Sequence, residues 1–159
     1  MAELNGVRLM EKTIRVADQG DIDTIFDIRT RVRENHLSRE QLADIGVTPD
    51  AIREAIALAP CIWIAEVDGI PVGFSMADQQ DACVFAAFVL PDYEGLGLGR
   101  LLMAKVEAFL FEQHSTIWLE TAEASRANGF YRALGWQPVK NLPEGDIRFE
   151  KSIPTLRSS

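Results

Sequence analysis

Residues 84–114 read VFAAFVLPDYEGLGLGRLLMAKVEAFLFEQH, and this stretch restricts the fold more than any other. The run 84–90 is rich in Val, Phe and Leu and carries no charge, which predicts a buried strand. Pro91 stops it, because proline cannot donate to a sheet ladder. Glycines then alternate at Gly95, Gly97 and Gly99. A helix pattern starts at once: Leu98, Leu102, Val106, Phe109 and Leu110 recur at helical spacing, with Arg100, Glu107 and Glu112 outside that stripe. Strand, glycine loop and helix start together make an anion site. The first amides of a helix lack partners and point along the positive end of its dipole. Glycine lets backbone approach a phosphate with no Cβ in the way. The plainer reading is a glycine turn that only packs a helix on a sheet. Three alternating glycines followed by Arg100 favour a phosphate-bearing ligand at 95–100.

Two common phosphate loops do not fit. The dinucleotide fingerprint needs glycine at the first, third and sixth places, and counting from Gly95 the sixth is Arg100. The P-loop needs Gly-Lys-Ser/Thr, which is absent. The loop instead resembles that of the GCN5-related N-acetyltransferase (GNAT) superfamily, Arg/Gln-x-x-Gly-x-Gly/Ala after a strand, here Glu94-Gly95-Leu96-Gly97-Leu98-Gly99. A second segment, Ala127, Phe130-Tyr131 and Leu134-Gly135-Trp136, is similar to the Ala-x-x-Phe-Tyr-x-x-x-Gly-Phe segment of that family. The chain departs from the pattern twice. Glu94 stands where Arg or Gln is usual, and Ala124 stands where the family often has Asn, seven residues before the tyrosine.

The rest of the chain predicts seven strands. A short strand covers 13–17, with Ile14 and Val16 facing inward. A helix after Asp18 carries Ile22, Ile25, Phe26 and Ile28 or Arg29. Ser38, with Glu40 and Gln41 nearby, caps a second helix, and Thr48-Pro49 opens a third that ends before Pro60. Strands at 61–67 and 70–76 flank the tight turn Asp68-Gly69. The strand at 82–90 completes an antiparallel meander. After the main helix, the strand at 116–121 runs parallel to the one before it, since a helix crosses over between them. A helix at 124–134 and strands at 136–139 and 147–153 follow. The resemblance implies an α/β fold with a mixed, mostly antiparallel sheet of about seven strands, splayed between the fourth and fifth, and helices on both faces.

At 159 residues the chain is one domain, 1–159, with 1–11 and 154–159 as loose ends. Its net charge of -8 argues against nucleic acid as a partner. Cys61 and Cys83 sit in apolar runs and read as reduced core residues. No metal-ligand spacing, signal segment or membrane span is present, so a cytoplasmic protein without metal is expected.

The resemblance implies acetyl transfer from acetyl-coenzyme A to a primary amine of a small molecule or a protein, by direct attack in a ternary complex. Relatives are often dimers, so a homodimer is one expectation. Backbone groups of Phe88, Val89 and Leu90 would hold the pantetheine arm. The loop Glu94, Gly95, Leu96, Gly97, Leu98, Gly99 and Arg100 would hold the diphosphate. Asn128 stands as a substitute for the missing Asn. Tyr131 matches the family's acid for the departing thiolate, and a phenol near pKa ~10 stays protonated for that task. For the base, Glu120 comes first, with Glu66, His36 or a water chain as alternatives. Arg29, Arg33, Glu34, Trp63 and Glu120 are candidates for the acceptor pocket. The rival function is a module that binds acetyl-coenzyme A without turnover, as a sensor or scaffold.

Overall fold

The structure is a computed structural model that describes residues 3–4, 7–8, 10–32, 37–122 and 126–153. In chain order the strands are β1 (Glu3–Leu4), β2 (Val7–Arg8), β3 (Lys12–Val16), β4 (Ile62–Val67), β5 (Ile70–Asp78), β6 (Cys83–Val89), β7 (Thr116–Ala122), β8 (Gln137–Asn141) and β9 (Asp146–Ser152). The helices are α1 (Ile22–Arg31), α2 (Arg39–Asp44), α3 (Pro49–Leu58), α4 (Leu98–Phe111) and α5 (Ala127–Ala133).

Strands β3 to β9 form one seven-stranded sheet in the order β3-β4-β5-β6-β7-β9-β8. Every neighbouring pair is antiparallel except β6 with β7. The parallel pair is the one joined through α4, as a crossover requires. The last two strands exchange places: β9 lies against β7 and leaves β8 at the edge. This follows from burial. Phe149 of β9 is fully buried opposite Leu119, whereas all five residues of β8 are exposed. At the other edge Val16 is 48% exposed, so only Ile14 of the expected inward pair packs on the core. The start of the chain is not wholly loose, because β1 and β2 pair as a small antiparallel ladder.

Local chemistry sets the element ends. Ser38 and Gln41 form a reciprocal capping box before α2, and Thr48 Oγ1 accepts from the Ala51 amide ahead of Pro49 in α3. Asp18 caps a 3-10 turn that leads into α1. Asp68 and Gly69 take positive φ, as a two-residue hairpin needs.

Helices cover both faces. The β5 residues alternate between them: Ser75 Oγ donates to the Leu102 carbonyl of α4 at 3.2 Å, and Phe74 packs at a tilt against Phe88 toward α1, whose Arg29 lies over the Phe88 ring. The α5 helix lies on the α4 face, with Phe130 against Gly99. Glu107 lies outside the apolar stripe of α4 but is tied into the fold. Its carboxylate accepts from Lys151 Nζ at 2.6 Å and Trp136 Nε1 at 3.1 Å, tying α4 to the far half of the sheet. Under α1, Arg15 makes two 2.8 Å bonds to Asp21, which is 7% exposed.

Two stability effects follow. A Cβ at Gly73 would lie 2.8 Å from the Phe88 carbonyl oxygen, and backbone there has little room to yield. Gly73→Ala should lower stability by about 1–3 kcal/mol, read as an earlier urea midpoint with unchanged m-value. Asp21 is held below its usual pKa, chiefly by its bonds to Arg15. Its contribution is therefore full above the unfolded-state carboxylate value of about 3.9 and is lost as pH falls through the folded value. Asp21→Asn should flatten that part of the acid limb in urea melts run at successive pH values.

Candidate active site

Strands β6 and β7 touch and then part. Among the described residues one Cα pair, Cys83 with Trp118, joins them, next to a 3.0 Å bond from the Trp118 amide to the Ala82 carbonyl. Beyond it the strands enclose a cavity of about 510 Å³. The Leu90 amide donates to the Val72 carbonyl of β5, and Phe88 lies opposite Phe74 in the same register. Alternation along an antiparallel ladder then turns the main-chain groups of Val89 and Ala87 the other way, into the gap. So of the expected trio Phe88, Val89 and Leu90, Val89 offers its amide. Phe88 contributes its ring to the wall, and Leu90 is committed to the sheet.

At the C-terminal end of β6 the chain passes through a 3-10 turn (Pro91–Tyr93) into the glycine loop. Gly95 and Gly97 take φ near +80°, with open space where a side chain would stand. Gly99 differs: its missing Cβ makes room for Phe130, 3.2 Å from where a methyl would be. The first helical bond of α4 runs from the Leu101 amide to the Gly97 carbonyl. The amides of Leu98, Gly99 and Arg100 thus have no helical acceptor and line the cavity's end. Lys12 Nζ donates to the Leu96 carbonyl at 2.9 Å and pins the loop from β3. The Glu94 amide is used by the turn, donating to Pro91, and its carboxylate accepts from Arg126 at 3.1 Å.

Tyr131 is 8% exposed and lines the cavity. Its ring packs edge-on to Phe130 and Trp136, and 6.1 Å from Phe149. Phe149 pairs with Leu119, so Tyr131 approaches β7 from the face on which Leu119 is buried. Glu120, next along β7, points to the opposite face. It lines the same cavity, across the strand pair from Arg148, with 4.0 Å between Glu120 Oε2 and the guanidinium. Arg148 lies over the Trp118 ring at 4.1 Å, 3.7 Å from Glu150. A phenol and a carboxylate thus flank one gap from its two sides.

Other expected site residues lie elsewhere. Trp63 is a core residue, edge-on to Phe109 at 5.6 Å. The Glu66 carboxylate accepts from Arg15 at 3.2 Å, on the outer strands and away from the cavity. Asn128 accepts from Arg132 at 2.7 Å along α5 and does not line the cavity. Arg29 is buried, its guanidinium 4.4 Å from the Phe88 ring centre, and burial lowers its pKa. It backs the wall that Phe88 presents. Arg33, Glu34, His36 and Ala124 lie outside the described residues. Sequence reasoning missed Arg126 and Ala87. A carboxylate at Glu94 heading an anion loop was a signal for a nearby cation, and strand alternation was one for Ala87.

A family model for the acetyltransferase (GNAT) family matches residues 22–136. The chain belongs to that family. Over 71 residues, 43% of this chain, it is 34% identical to the [ribosomal protein bS18]-alanine N-acetyltransferase of Haemophilus influenzae, and the stretch spans about half, 49%, of that enzyme. The fold is similar to that of the PaiA N-acetyltransferase of Thermoplasma acidophilum in complex with coenzyme A, with a TM-score of 0.74 at 16% identity, over 90% of this chain and 99% of that one. It is also similar to the ribosomal-protein-S18-alanine N-acetyltransferase of Escherichia coli, with a TM-score of 0.67 at 18% identity, over 92% and 97% of the two chains. Among the described residues no helix is long and apolar enough to cross a membrane, and no cluster of His, Cys, Asp or Glu is placed to hold a metal ion.

Both cysteines are buried, and burial raises both thiols, Cys83 to about 12. Neither should react with a disulfide reagent at neutral pH until urea unfolds the chain. A thiol assay on the native protein would then read added thiols alone.

Proposed function

We propose that this protein acetylates a primary amine with acetyl-coenzyme A in a ternary complex. The observation that carries the reading is the placement of Tyr131 and Glu120 on the two sides of one gap, beside a helix start with unpaired amides. The cavity fits the donor's parts. Val89 and Ala87 present main-chain groups to an extended amide-bearing arm, much as a neighbouring strand would. The amides of Leu98, Gly99 and Arg100, with the Arg100 side chain, suit a diphosphate. The donor supplies an activated acetyl group and a thiolate leaving group.

The chain's residues then have separate tasks. Glu120 takes the proton that the acceptor amine loses as nitrogen bonds to the acetyl carbon, directly or through one water. Tyr131 gives its phenolic proton to the sulfur as the carbon–sulfur bond breaks. The Val89 amide faces the gap where a carbonyl oxygen can accept from it as charge develops. The acid lies on the dry face, enclosed by Phe130, Trp136 and Phe149, and the base lies on the face open to an incoming amine. The Haemophilus enzyme's name gives its acceptor as the alanine of a ribosomal protein, so an unblocked N-terminal alanine is the first acceptor to try.

The test follows release of coenzyme A thiol with a synthetic peptide carrying an unblocked N-terminal alanine, beside a panel of lysine and small amines. Tyr131→Phe should lower kcat ~10²-fold or more, as loss of a general acid does, while the dissociation constant for acetyl-coenzyme A stays the same. Glu120→Gln should lower kcat on a similar scale. Binding without thiol release from any amine would replace the enzyme by a sensor of acetyl-coenzyme A.

A further inference from the structure

The mouth of the cavity carries an ion pair that the reaction above does not use. Glu94 heads the glycine loop on the β6 side, and Arg126 stands at the start of α5 on the β7 side. Their side chains meet across the gap, Arg126 Nη1 to Glu94 Oε2 at 3.1 Å, and both residues line the cavity. The arginine side chain is 78% exposed and the carboxylate 43%. Exposed pairs of this kind add little to stability, so fold stability does not account for the contact. The same exposure makes it easy to exchange. A carboxylate at the head of an anion loop repels a phosphate, and an arginine held against it stands where a phosphate oxygen could replace the carboxylate.

We propose that Arg126 is a donor-binding residue that exchanges partners: it leaves Glu94 for the diphosphate of the acetyl donor when the donor enters. The inference rests on the reading of this gap as the donor site. Glu94 acts as an internal competitor. It keeps the cation at the mouth in the empty protein and sets how tightly a diphosphate is held. The loop amides of Leu98, Gly99 and Arg100 bind one side of the anion, and Arg126 closes on it from the opposite lip. No covalent bond changes in the exchange; one ion pair is traded for another. Because the chain as a whole carries a charge of -8, a second local cation besides Arg100 also offsets the general repulsion of a polyanion.

Calorimetric titration with coenzyme A tests the exchange without turnover, using the full chain, Glu94→Gln, Arg126→Gln and the double variant. Thermal melts without ligand check that each folds. Arg126→Gln should weaken binding on the order of ten-fold, as loss of a charge-assisted bond does. Glu94→Gln should tighten it on the order of five-fold, the scale of an exposed ion pair. The decisive reading is the double variant. Exchange requires the Glu94→Gln gain to shrink when Arg126 is gone, to what direct repulsion by the carboxylate alone accounts for. A gain equally large in both backgrounds shows no coupling between the two residues and overturns the proposal, as does unchanged binding by Arg126→Gln. Dephospho-coenzyme A should give the same pattern; loss of the pattern with it would move Arg126 to the 3′-phosphate and refute the diphosphate assignment. If the unaltered protein does not bind coenzyme A, the donor-site reading falls together with this one. If it binds and the variants do not behave as stated, only the exchange falls.

Discussion

Everything about the site depends on two central strands that stop pairing. β6 and β7 lie in the middle of the sheet, where backbone donors and acceptors are normally satisfied by a neighbour. Here they share one bridge and separate. Main-chain groups that would otherwise bond across the sheet face a cavity instead. The crossover makes the gap productive. A parallel connection must return through α4, so the helix begins at the end of β6 toward which the strands diverge. Unpaired helix amides and unpaired strand amides therefore meet at one place. The glycines refine that meeting in two ways. Gly95 and Gly97 allow the left-handed turn, and Gly99 lets α4 sit close to α5.

The charge arrangement follows the same geometry. One end of the cavity gathers helix amides with Arg100 and Arg126, next to the Glu94 carboxylate. The other side of β7 carries Glu120 and Glu150 around Arg148, which is held over Trp118. That indole is itself fixed, donating to the Asp81 carbonyl at 2.6 Å. A net charge of -8 says nothing of this division, because the sum hides a gap with helix amides and arginines at one end and carboxylates at its flank.

Much of the fold was legible because it is locally encoded. The strands of the meander, the Asp68-Gly69 turn, the Ser38 and Thr48 caps and the start of α4 all depend on spacing within a few residues. The order of β8 and β9 was not, since both are short strands and only the burial of Phe149 beside Leu119 decides between them. Trp63 was ambiguous for a related reason. β4 is buried on both faces, so its sequence has no alternation to say which side a tryptophan takes. Glu66 was a plausible base until Arg15, 51 residues earlier in the chain, claimed its carboxylate. Arg126 belongs to the same class: its partner is 32 residues away, and no local period connects them.

The match to the family model ends at residue 136, yet β9 supports both side chains that flank the gap. Phe149 packs on Tyr131 from one face, and Arg148, its neighbour, stands opposite Glu120 on the other. Adjacent residues of one strand thus set the surroundings of Tyr131 and of Glu120 separately, because strand alternation sends them to opposite faces. A change at Phe149 would disturb the enclosed side and leave the open face alone. A change at Arg148 would alter the face that carries Glu120. The face that carries Trp118, Arg148 and Glu150 can therefore vary without disturbing the aromatic enclosure of Tyr131 on the other.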